Sequence, residues 1–533
     1  MSFVAKATTQ RLLAVHGWSG TILGLFLYLI VVTGAVAVFA GELRTWSQPG
    51  LDNQAVFDRP LKLERPLAPT LAKLSESVSE AYKEEVQISG RNDGQLQIVF
   101  HGHAKNDQGK TEDTRVLHVL DPSTHEVLSR EEGFQSEMPP PPRSALMDFI
   151  VTLHVNLHAP DPWGLYMTGI LGFVMVIATV SGLILHRHII TDLFVSPRLS
   201  SRLLNSRDRH TLAGTWSLPF GFILAFTGAF FSFALTIGVP VLAFAAFGGD
   251  TDRLIEVIQP IEIIAKSPGQ VASIDEIIAD SSARVGIAPS SIRLADYNAE
   301  AFSVRVNHLP LEGGINGVSN LYDGSTGKFI SIAPFVGTTP SAGSSFASLM
   351  GPLHFGNFGG LVSKLVWGAL GAALAYVTLS GLQLWVRRRA ERPAWAWMNN
   401  TVILTGYGVP ITMLGAAFGY FPALGLSADA SYWTALGFLG SAAALLVLGV
   451  LVRKAARLTL ILQWTMILAL ALTPCLRLSF GGHSWFELMQ RQDVTSLAID
   501  LLFWIGAIWG LVSMLNIKLW PSKTVETRSV PAE

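Results

Sequence analysis

The sequence predicts a polytopic all-α membrane protein of about eight transmembrane helices, with two small α+β modules outside the membrane. Half of the 533 residues are hydrophobic, only 14% are charged, and the mean hydropathy is +0.41. Several apolar runs reach the roughly 20 residues that a helix needs to cross a bilayer. Two long polar segments, 45–145 and 248–350, separate some of these runs and predict folded modules on one side of the membrane.

The candidate spans divide into two groups. Four flank the polar segments, and we expect transmembrane helices 1 to 4 within residues 10–40, 146–188, 210–247 and 352–388. The second of these begins with an interfacial lead-in ahead of its apolar run. The other four spans follow one another within 400–520, and we expect them to form an additional four-helix membrane region.

Basic residues predict the orientation, because Lys and Arg are enriched on the cytoplasmic side of membrane helices. They occur before the first span, between the second and third, after the fourth at Arg387–Arg392, and in the C-terminal tail. With eight spans these places share one side, so both termini are predicted to be cytoplasmic in a bacterial inner membrane. The first apolar run is too long for a typical signal peptide, and we expect it to stay as an anchor.

Several common chemistries find no support in the sequence. The single cysteine, Cys475, permits no intramolecular disulfide and no thiolate metal cluster. No Gly-x-Gly-x-x-Gly follows a predicted strand and no P-loop pattern occurs, so we expect no nucleotide site in this chain. We find no nucleophile or acid–base constellation, and we expect no nucleic-acid partner.

The chain contains an internal repeat. Each copy has a histidine, a Thr-Gly pair 17 residues later, a polar segment, a Leu-His pair and a span ending in Ser-Gly-Leu. The residues that mark the repeat, which we call its marks, are His16, Thr33-Gly34, His154 and Ser181-Gly182 in the first copy. In the second copy they are His210, Thr227-Gly228, His354 and Ser380-Gly381. Residues 11–190 and 207–390 are therefore predicted to be two parallel copies of one helix–module–helix unit.

The two polar segments predict the same small module. Each carries an amphipathic helix followed by strands of alternating residues, as in "QLQIVF" and "FSVRV". Turns are expected at Asp121-Pro122 in the first module and at Asp323-Gly324 in the second.

Four of the thirteen histidines occupy equivalent places in the two copies. His16 and His210 lie at the cytoplasmic mouths of spans one and three, and His154 and His354 lie at the outer mouths of spans two and four. Ionisable groups at membrane depth are costly, so two matched pairs favour shared sites over simple helix anchoring. Imidazole is a common axial ligand of haem iron, and helix bundles hold cofactors between facing helices. This pattern predicts one haem near each face, an arrangement that can pass electrons across the membrane.

Other ligands and another metal stay open at this stage. Three further histidines could replace a partner: His158 in the outer site, and His186 or His188 in the inner site. Zinc is the rival metal, although it would need three or four ligands. His101 and His103 lie on one face of a predicted strand and could bind a metal, but a polar strand edge is the favoured interpretation.

The first and fourth spans also carry a family resemblance. "RLLAVHGWSGTILGLFLYLIVVTGAVAVFAGEL" is similar to the opening helix of the PepSY-associated transmembrane family, and "LHFGNFGGLVSKLVWGALGAALAYVTLSGLQLWVRRR" is similar to its closing helix. The modules resemble PepSY domains, with "LYDGSTGKFISI" similar to the usual closing hairpin. The resemblance covers about residues 10–390. Two departures are Val155, where the family often has a basic residue, and "GLILHRH", where a Trp-rich end is expected.

The resemblance implies a function. Characterised relatives include di-haem ferric-siderophore reductases, which implies two b-type haems with His16, His210, His154 and His354 as axial ligands. A cytoplasmic or quinol donor would reduce the inner haem, and the electron would pass through the outer haem to Fe(III) held by a siderophore outside. Fe(II) binds siderophores weakly, so the iron would be released.

Two other classes of function stay open. The chain could be a siderophore or haem permease, which charged residues within the spans would favour, although Asp500 is nearly alone there. It could also be a membrane-anchored PepSY binding or regulatory module, in which case the repeated histidines would be replaceable. A reductase requires them.

Overall fold

The computed structural model divides the chain into two units, Met1–Glu391 and Arg392–Glu533. The structure describes residues 6–48, 60–61, 63–91, 94–105, 109, 111–138, 144–185, 197–198, 202–258, 272–295, 297, 303–311, 314–337, 339–389 and 393–515. Within these ranges seven helices are long and apolar enough to cross a bilayer, and a bent helix pair supplies an eighth if it counts as one span. The chain is therefore a multi-pass membrane protein, as predicted.

The described residues of the first unit include three long apolar helices among shorter ones. Its described helices are α1 (Lys6–Ile22), α2 (Gly24–Ala37), α3 (Ala40–Ser47), α4 (Ala68–Glu76), α5 (Ala145–Asn156), α6 (Trp163–Leu185), α7 (Arg202–Phe233), α8 (Val239–Phe247), α9 (Thr251–Ile258), α10 (Ile274–Val285), α11 (Ala342–Phe355) and α12 (Gly360–Arg387). A π-helical stretch, Ala234–Gly238, joins α7 to α8. The long helices α6, α7 and α12 match three of the predicted spans. Membrane spans are helical because a helix satisfies its own backbone hydrogen bonds in lipid.

The predicted first span is bent rather than straight. The axes of α1 and α2 differ by 66°, and Leu23 between them has non-helical backbone angles. Gly24 follows the bend and packs closely on α12, where an added Cβ would lie 2.9 Å from Leu382. The close contact is possible because glycine has no side chain.

The predicted second and fourth spans each divide into a short helix and a long one. The short helices α5 and α11 end at residues with left-handed backbone angles, Leu157 and Gly356. The long helices α6 and α12 begin a few residues later. The division places His154 and His354 in the last turns of the short helices rather than in the spanning helices.

The two predicted modules share one antiparallel sheet of eight strands. The strands are β1 (Glu85–Gly90), β2 (Leu96–Lys105), β3 (Thr111–Leu120), β4 (Val127–Phe134), β5 (Pro289–Ala295), β6 (Ser303–His308), β7 (Val318–Asp323) and β8 (Phe329–Ile332), in the spatial order β4-β3-β2-β1-β5-β6-β7-β8. The first four strands come from one module and the last four from the other. They join where β1 pairs with β5, with Ile88 opposite Ile292.

One hydrophobic core supports both halves of the sheet. It contains fully buried residues of β1 and β5, such as Ile88 and Ile292, together with Leu71 of α4 and Ile277 of α10. Asp275 at the start of α10 also accepts hydrogen bonds from the first backbone N–H groups of the α4 region. The halves are therefore parts of one folded layer rather than two independent modules.

The turns expected at Asp121 and Asp323 are confirmed. Asp121 accepts hydrogen bonds from the backbone N–H groups of Ser123 and Thr124. Asp323 does the same with Ser325 and Thr326 in the other half. Aspartate favours such turns because its short side chain can bond the backbone two residues on.

His118 makes the sheet sensitive to acid. Its side chain is buried on β3, neither ring nitrogen has a hydrogen-bond partner among the described residues, and burial lowers the pKa of the imidazole to about 4. An unfolded histidine takes up its proton near pH 6.5, so the free energy of unfolding should fall as the pH decreases from about 6.5 towards 4. We expect His118→Leu to reduce this loss, measured by amide hydrogen exchange of β3 at pH 7 and pH 5. An equal loss in the variant would show that other groups cause it.

The second unit has the four long helices that the sequence predicts for residues 400–520. Its described helices are α13 (Pro393–Gly425), α14 (Ala430–Leu451), α15 (Ala455–Ser479), α16 (Trp485–Gln490) and α17 (Val494–Met514). The pair α13 and α14 approaches most closely at small residues. A Cβ added at Gly419 would lie 2.0 Å from the backbone oxygen of Trp433. Small residues of this kind let membrane helices pack without a gap.

Candidate functional site

The structure brings His154 and His354 together. Their ring centres are 6.2 Å apart and the ring planes differ by 30°. Both residues lie on the short helices α5 and α11, which follow the last strands β4 and β8 of the two halves of the sheet. We call these two residues the sheet-side pair.

His16 and His210 form the second predicted pair. His16 lies on α1 and His210 on α7, and the two rings are near enough to interact electrostatically. We call them the far-side pair. Along α7, His210 and Thr227 are separated by 17 residues. That separation corresponds to about 25 Å at 1.5 Å per residue, close to the apolar thickness of a bilayer.

A hydroxyl group on a neighbouring helix contacts each of the four imidazole rings. The hydroxyls belong to the Thr-Gly and Ser-Gly marks of the internal repeat. The Nδ1–Oγ distances are 3.4 Å from His154 to Thr33, 2.9 Å from His354 to Thr227, 3.0 Å from His16 to Ser181, and 3.0 Å from His210 to Ser380. The repeat that sequence analysis recognised is thus a set of matched contacts between histidines and hydroxyls.

The glycine after each hydroxyl leaves room for the same imidazole ring. An added Cβ would lie 2.7 Å from Cε1 of His154 at Gly34, 3.4 Å from that of His354 at Gly228, 3.5 Å from that of His16 at Gly182, and 3.1 Å from that of His210 at Gly381. The contact is tightest at Gly34, where any side chain would displace the ring. We call each Thr-Gly or Ser-Gly mark a hydroxyl–glycine pair.

The hydrogen bonds favour one tautomer of the sheet-side pair. The hydroxyl of Thr227 donates to the carbonyl of Ile223 at 2.7 Å, which leaves its lone pairs to accept a hydrogen bond from His354 Nδ1–H. His154 Nδ1 donates to the carbonyl of Ile30 at 3.0 Å. A neutral imidazole with its proton on Nδ1 has its lone pair on Nε2.

The far-side pair has the same arrangement. His16 Nδ1 donates to the carbonyl of Ala178 at 3.0 Å. The Ser380 hydroxyl donates to the carbonyl of Val377, so it accepts from His210 Nδ1. Within the part of the chain that the structure describes, no polar group contacts Nε2 of any of the four rings. Each ring therefore presents an Nε2 lone pair that can bind a metal ion.

Of the alternative ligands, His158 does not join the sheet-side pair. His158 is exposed, its Nε2 bonds the carbonyl of Phe149 at 2.9 Å, and its ring stacks on Phe149 at 4.2 Å. His154, and not His158, lies beside His354. His186 and His188 lie outside the described residues. No group of three or more His, Cys, Asp or Glu side chains suited to a metal ion occurs among the residues that are described, so the zinc alternative gains no support there.

His101 and His103 lie on the polar face of β2. That strand is inside the sheet, so the expected strand edge is wrong. His103 lies between two carboxylates, with Nδ1 2.6 Å from Glu84 and Nε2 3.2 Å from Asp113. The hydrogen bond to Glu84 raises the pKa of His103, which suits an ion pair on the surface rather than a metal ligand.

Asp500, which the sequence marks as a rare charge within a span, has a buried partner. Arg477 on α15 donates from Nε to Asp500 on α17 at 3.1 Å, and its Nη2 donates to the second carboxylate oxygen. Trp485 donates to the same carboxylate at 3.1 Å, and Arg477 Nη1 donates to the carbonyl of His483. These partners satisfy the charge within the protein, so Asp500 gives no separate support for a permease. Arg477 lies near the end of an apolar helix, where the sequence alone does not indicate that it pairs with Asp500.

Comparison with known proteins agrees with a membrane protein. The family described as the PepSY-associated TM region matches residues 13–388. The chain belongs to this family. The match includes both hydroxyl–glycine pairs of each copy and all four paired histidines.

A relative has also been found among curated proteins. The uncharacterized protein PA4219 of Pseudomonas aeruginosa is 26% identical over 268 residues. The similar region covers 46% of this chain and 65% of that relative. Membership of the family agrees with a membrane protein that carries PepSY-type segments. The name of the relative does not indicate an activity.

Proposed function

We propose that this protein holds two b-type haems and passes electrons across the bacterial inner membrane to ferric siderophores outside. The observation that carries the proposal is the shared geometry of four membrane histidines. In each of them Nδ1–H donates a hydrogen bond, and Nε2 has no hydrogen-bond partner among the described residues. In this proposal the far-side pair and both termini are cytoplasmic, and the sheet lies in the periplasm. The electron donor is a cytoplasmic protein or a quinol.

The spacing of the sheet-side pair suits one iron ion between two imidazoles. If each Nε2 bound a metal at about 2.0 Å, with each ring centre about 1.1 Å behind its nitrogen, two opposed rings would lie about 6 Å apart. The ring centres of His154 and His354 are 6.2 Å apart. Cys475 is the only cysteine of the sequence, so two thioether bonds to the macrocycle are not available. A non-covalent, b-type haem is therefore the kind that fits.

Aromatic side chains near His354 suit a flat apolar macrocycle. Phe231 and Phe355 stack on each other at 5.7 Å, and each ring centre is 5.5 Å from that of His354. Both are partly exposed, at 40% and 54%. Apolar surface at this place would gain by contact with the faces and edges of a porphyrin.

The chain's own residues supply position and environment. Haem iron, when bound, supplies a carrier for one electron at a time. The hydroxyl and carbonyl acceptors hold each Nδ1–H, which orients the ring and makes Nε2 a stronger ligand. The apolar helices α2, α6, α7 and α12 exclude water between the two pairs. The periplasmic sheet offers the surface on which a ferric siderophore would approach the sheet-side pair.

The test is an optical spectrum of the purified protein from haem-replete cells, oxidised and then reduced with dithionite, with the haem counted as the pyridine haemochrome. We expect about two b-type haems per chain, one per pair of axial histidines. A colourless protein that binds no haem on reconstitution would overturn the proposal. It would favour a permease or an anchored PepSY binding module instead.

Gly34 gives a second test of the sheet-side pair. A Cβ at Gly34 would lie 2.7 Å from His154 Cε1, so Gly34→Ala should displace the ring and lower the haem content. Gly182→Ala is the matched control, because its Cβ would make an ordinary 3.5 Å contact with His16. Haem content and the reduced spectrum of both variants should be compared with the parent protein. Equal haem in both variants would show that the tight contact at Gly34 does not position the ligand.

A further inference from the structure

The region between the two histidine pairs is a packed apolar core. Helices α2, α6, α7 and α12 contribute its buried residues, which are Leu27, Leu171, Met175, Phe220, Ala225 and Leu374. Trp367 of α12 is partly buried and packs against this core. Most of these side chains are aliphatic. An electron that passes from one pair to the other must cross this layer.

Two aromatic rings of the core are in contact with each other. The ring centres of Phe220 and Trp367 are 5.1 Å apart and their planes are nearly perpendicular, at 89°. Phe220 lies on α7 between His210 and Thr227, which belong to opposite ends of the layer. The indole Nε1 of Trp367 donates to the carbonyl of Leu353 at 3.0 Å, and Leu353 is joined to His354 by a peptide bond. The two rings therefore connect the middle of the layer with a ligand of the sheet-side site.

The backbone leaves space for this tryptophan. An added Cβ at Gly356 would lie 2.4 Å from the indole ring. Gly356 also has a φ of 66°, in the left-handed region that favours glycine. The turn between α11 and α12 therefore accommodates a large ring beside His354.

The first copy of the repeat makes the same helix contact without an aromatic ring. Thr168 occupies the position that corresponds to Trp367, because each lies 13 residues before the serine of its copy. Its hydroxyl donates to the carbonyl of Val155 at 2.9 Å, which ties α6 to α5. Phe26, which corresponds to Phe220, is 48% exposed and outside the core. A threonine is thus sufficient for a hydrogen bond between the short helix and the long helix of one copy. The presence of a tryptophan at this position in the second copy therefore needs another explanation.

We propose that Phe220 and Trp367 form the sheet-side half of the electron path between the two sites. The inference rests on the proposed function, since it requires a haem at each pair. With a haem bound at each pair, the electron lost by the far-side Fe(II) would be gained by the sheet-side Fe(III), and neither ring would gain or lose an electron overall. The ring contact and the hydrogen bond make this route continuous from Phe220 to the residue that precedes His354. The second copy of the repeat therefore supplies the sheet-side half of the path.

The test compares three variants of the haem-loaded protein in proteoliposomes. Trp367→Thr copies Thr168 and removes both the ring and its hydrogen bond to Leu353, Phe220→Leu removes the second ring, and Trp367→Phe keeps an aromatic side chain. Met175→Leu is the control in the same core. Both haems are reduced, membrane-impermeant ferricyanide is added on the sheet side, and absorbance follows the re-oxidation. Haem content and the two midpoint potentials are measured on the same preparations.

We expect two phases of re-oxidation, a fast one for the sheet-side haem and a slower one for the far-side haem. Trp367→Thr and Phe220→Leu should slow only the second phase several-fold, at unchanged haem content and potentials, and Trp367→Phe should restore much of the rate. Met175→Leu should match the parent protein. Parental rates in both Trp367→Thr and Phe220→Leu would overturn the electron path. A parent protein without haem would instead overturn the proposed function.

Discussion

His354→Ala is expected to leave the purified protein with one haem instead of two. The sheet-side pair offers two imidazoles with ring centres 6.2 Å apart, and the described residues around it include no third metal ligand. Loss of one axial ligand leaves His154 alone, and a single partner holds the iron far more weakly. His16→Ala should remove the other haem by the same reasoning. Pyridine haemochrome and the reduced spectrum measure both losses.

The control for this experiment is His158→Ala. His158 is four residues from His154, but its Nε2 bonds a backbone carbonyl and its side chain is exposed. The variant should keep both haems. The assignment of the outer ligand would be wrong if His158→Ala lost a haem and His154→Ala did not. Loss of both haems in every histidine variant would indicate a folding defect, which loss of the monodisperse peak on a sizing column would reveal.

Asp500→Ala is expected to destabilise the second unit by about 3–5 kcal/mol, the usual cost of leaving one partner of a buried ion pair alone. Arg477 and Asp500 are only 1% and 2% exposed, and the carboxylate holds both the guanidinium and the Trp485 indole. The variant leaves a buried arginine without its counter-charge. Thermal unfolding in detergent should show the loss as a lower Tm.

Two variants make this result specific. Asp493→Ala removes the N-cap of α17, where the side chain accepts from Ser496 N–H, and should cost only about 1 kcal/mol. The double variant Arg477→Met with Asp500→Leu replaces both charges by apolar groups and should recover much of the stability. An unchanged Tm in Asp500→Ala would show that the pair does not hold α15 and α17 together. Selective loss of transport with an unchanged Tm would support the permease alternative.

The sequence indicates the four histidines but not the hydroxyl groups that contact their rings. The Thr-Gly and Ser-Gly marks were recognised only as signs of a repeat. In the structure, Thr33-Gly34 and the three matching pairs are the contacts of the histidines, although each lies more than a hundred residues from its ring along the chain. A repeated polar residue beside a glycine within an apolar span is a signal that could have suggested a buried hydrogen bond. The choice between His154 and His158 also needed the structure, because both follow the same apolar run.

The sequence by itself determined the spans, the repeat, the two turns at Asp121 and Asp323, and the four histidines. These features follow from local requirements, since lipid demands about 20 apolar residues per helix and a turn depends on a few neighbouring residues. The tertiary structure alone decided that β1 pairs with β5, that α1 and α2 bend at Leu23, and that Arg477 neutralises Asp500. These features depend on contacts between distant residues. The alternation within a strand shows which face is buried, but it carries no information on which strand will lie beside it.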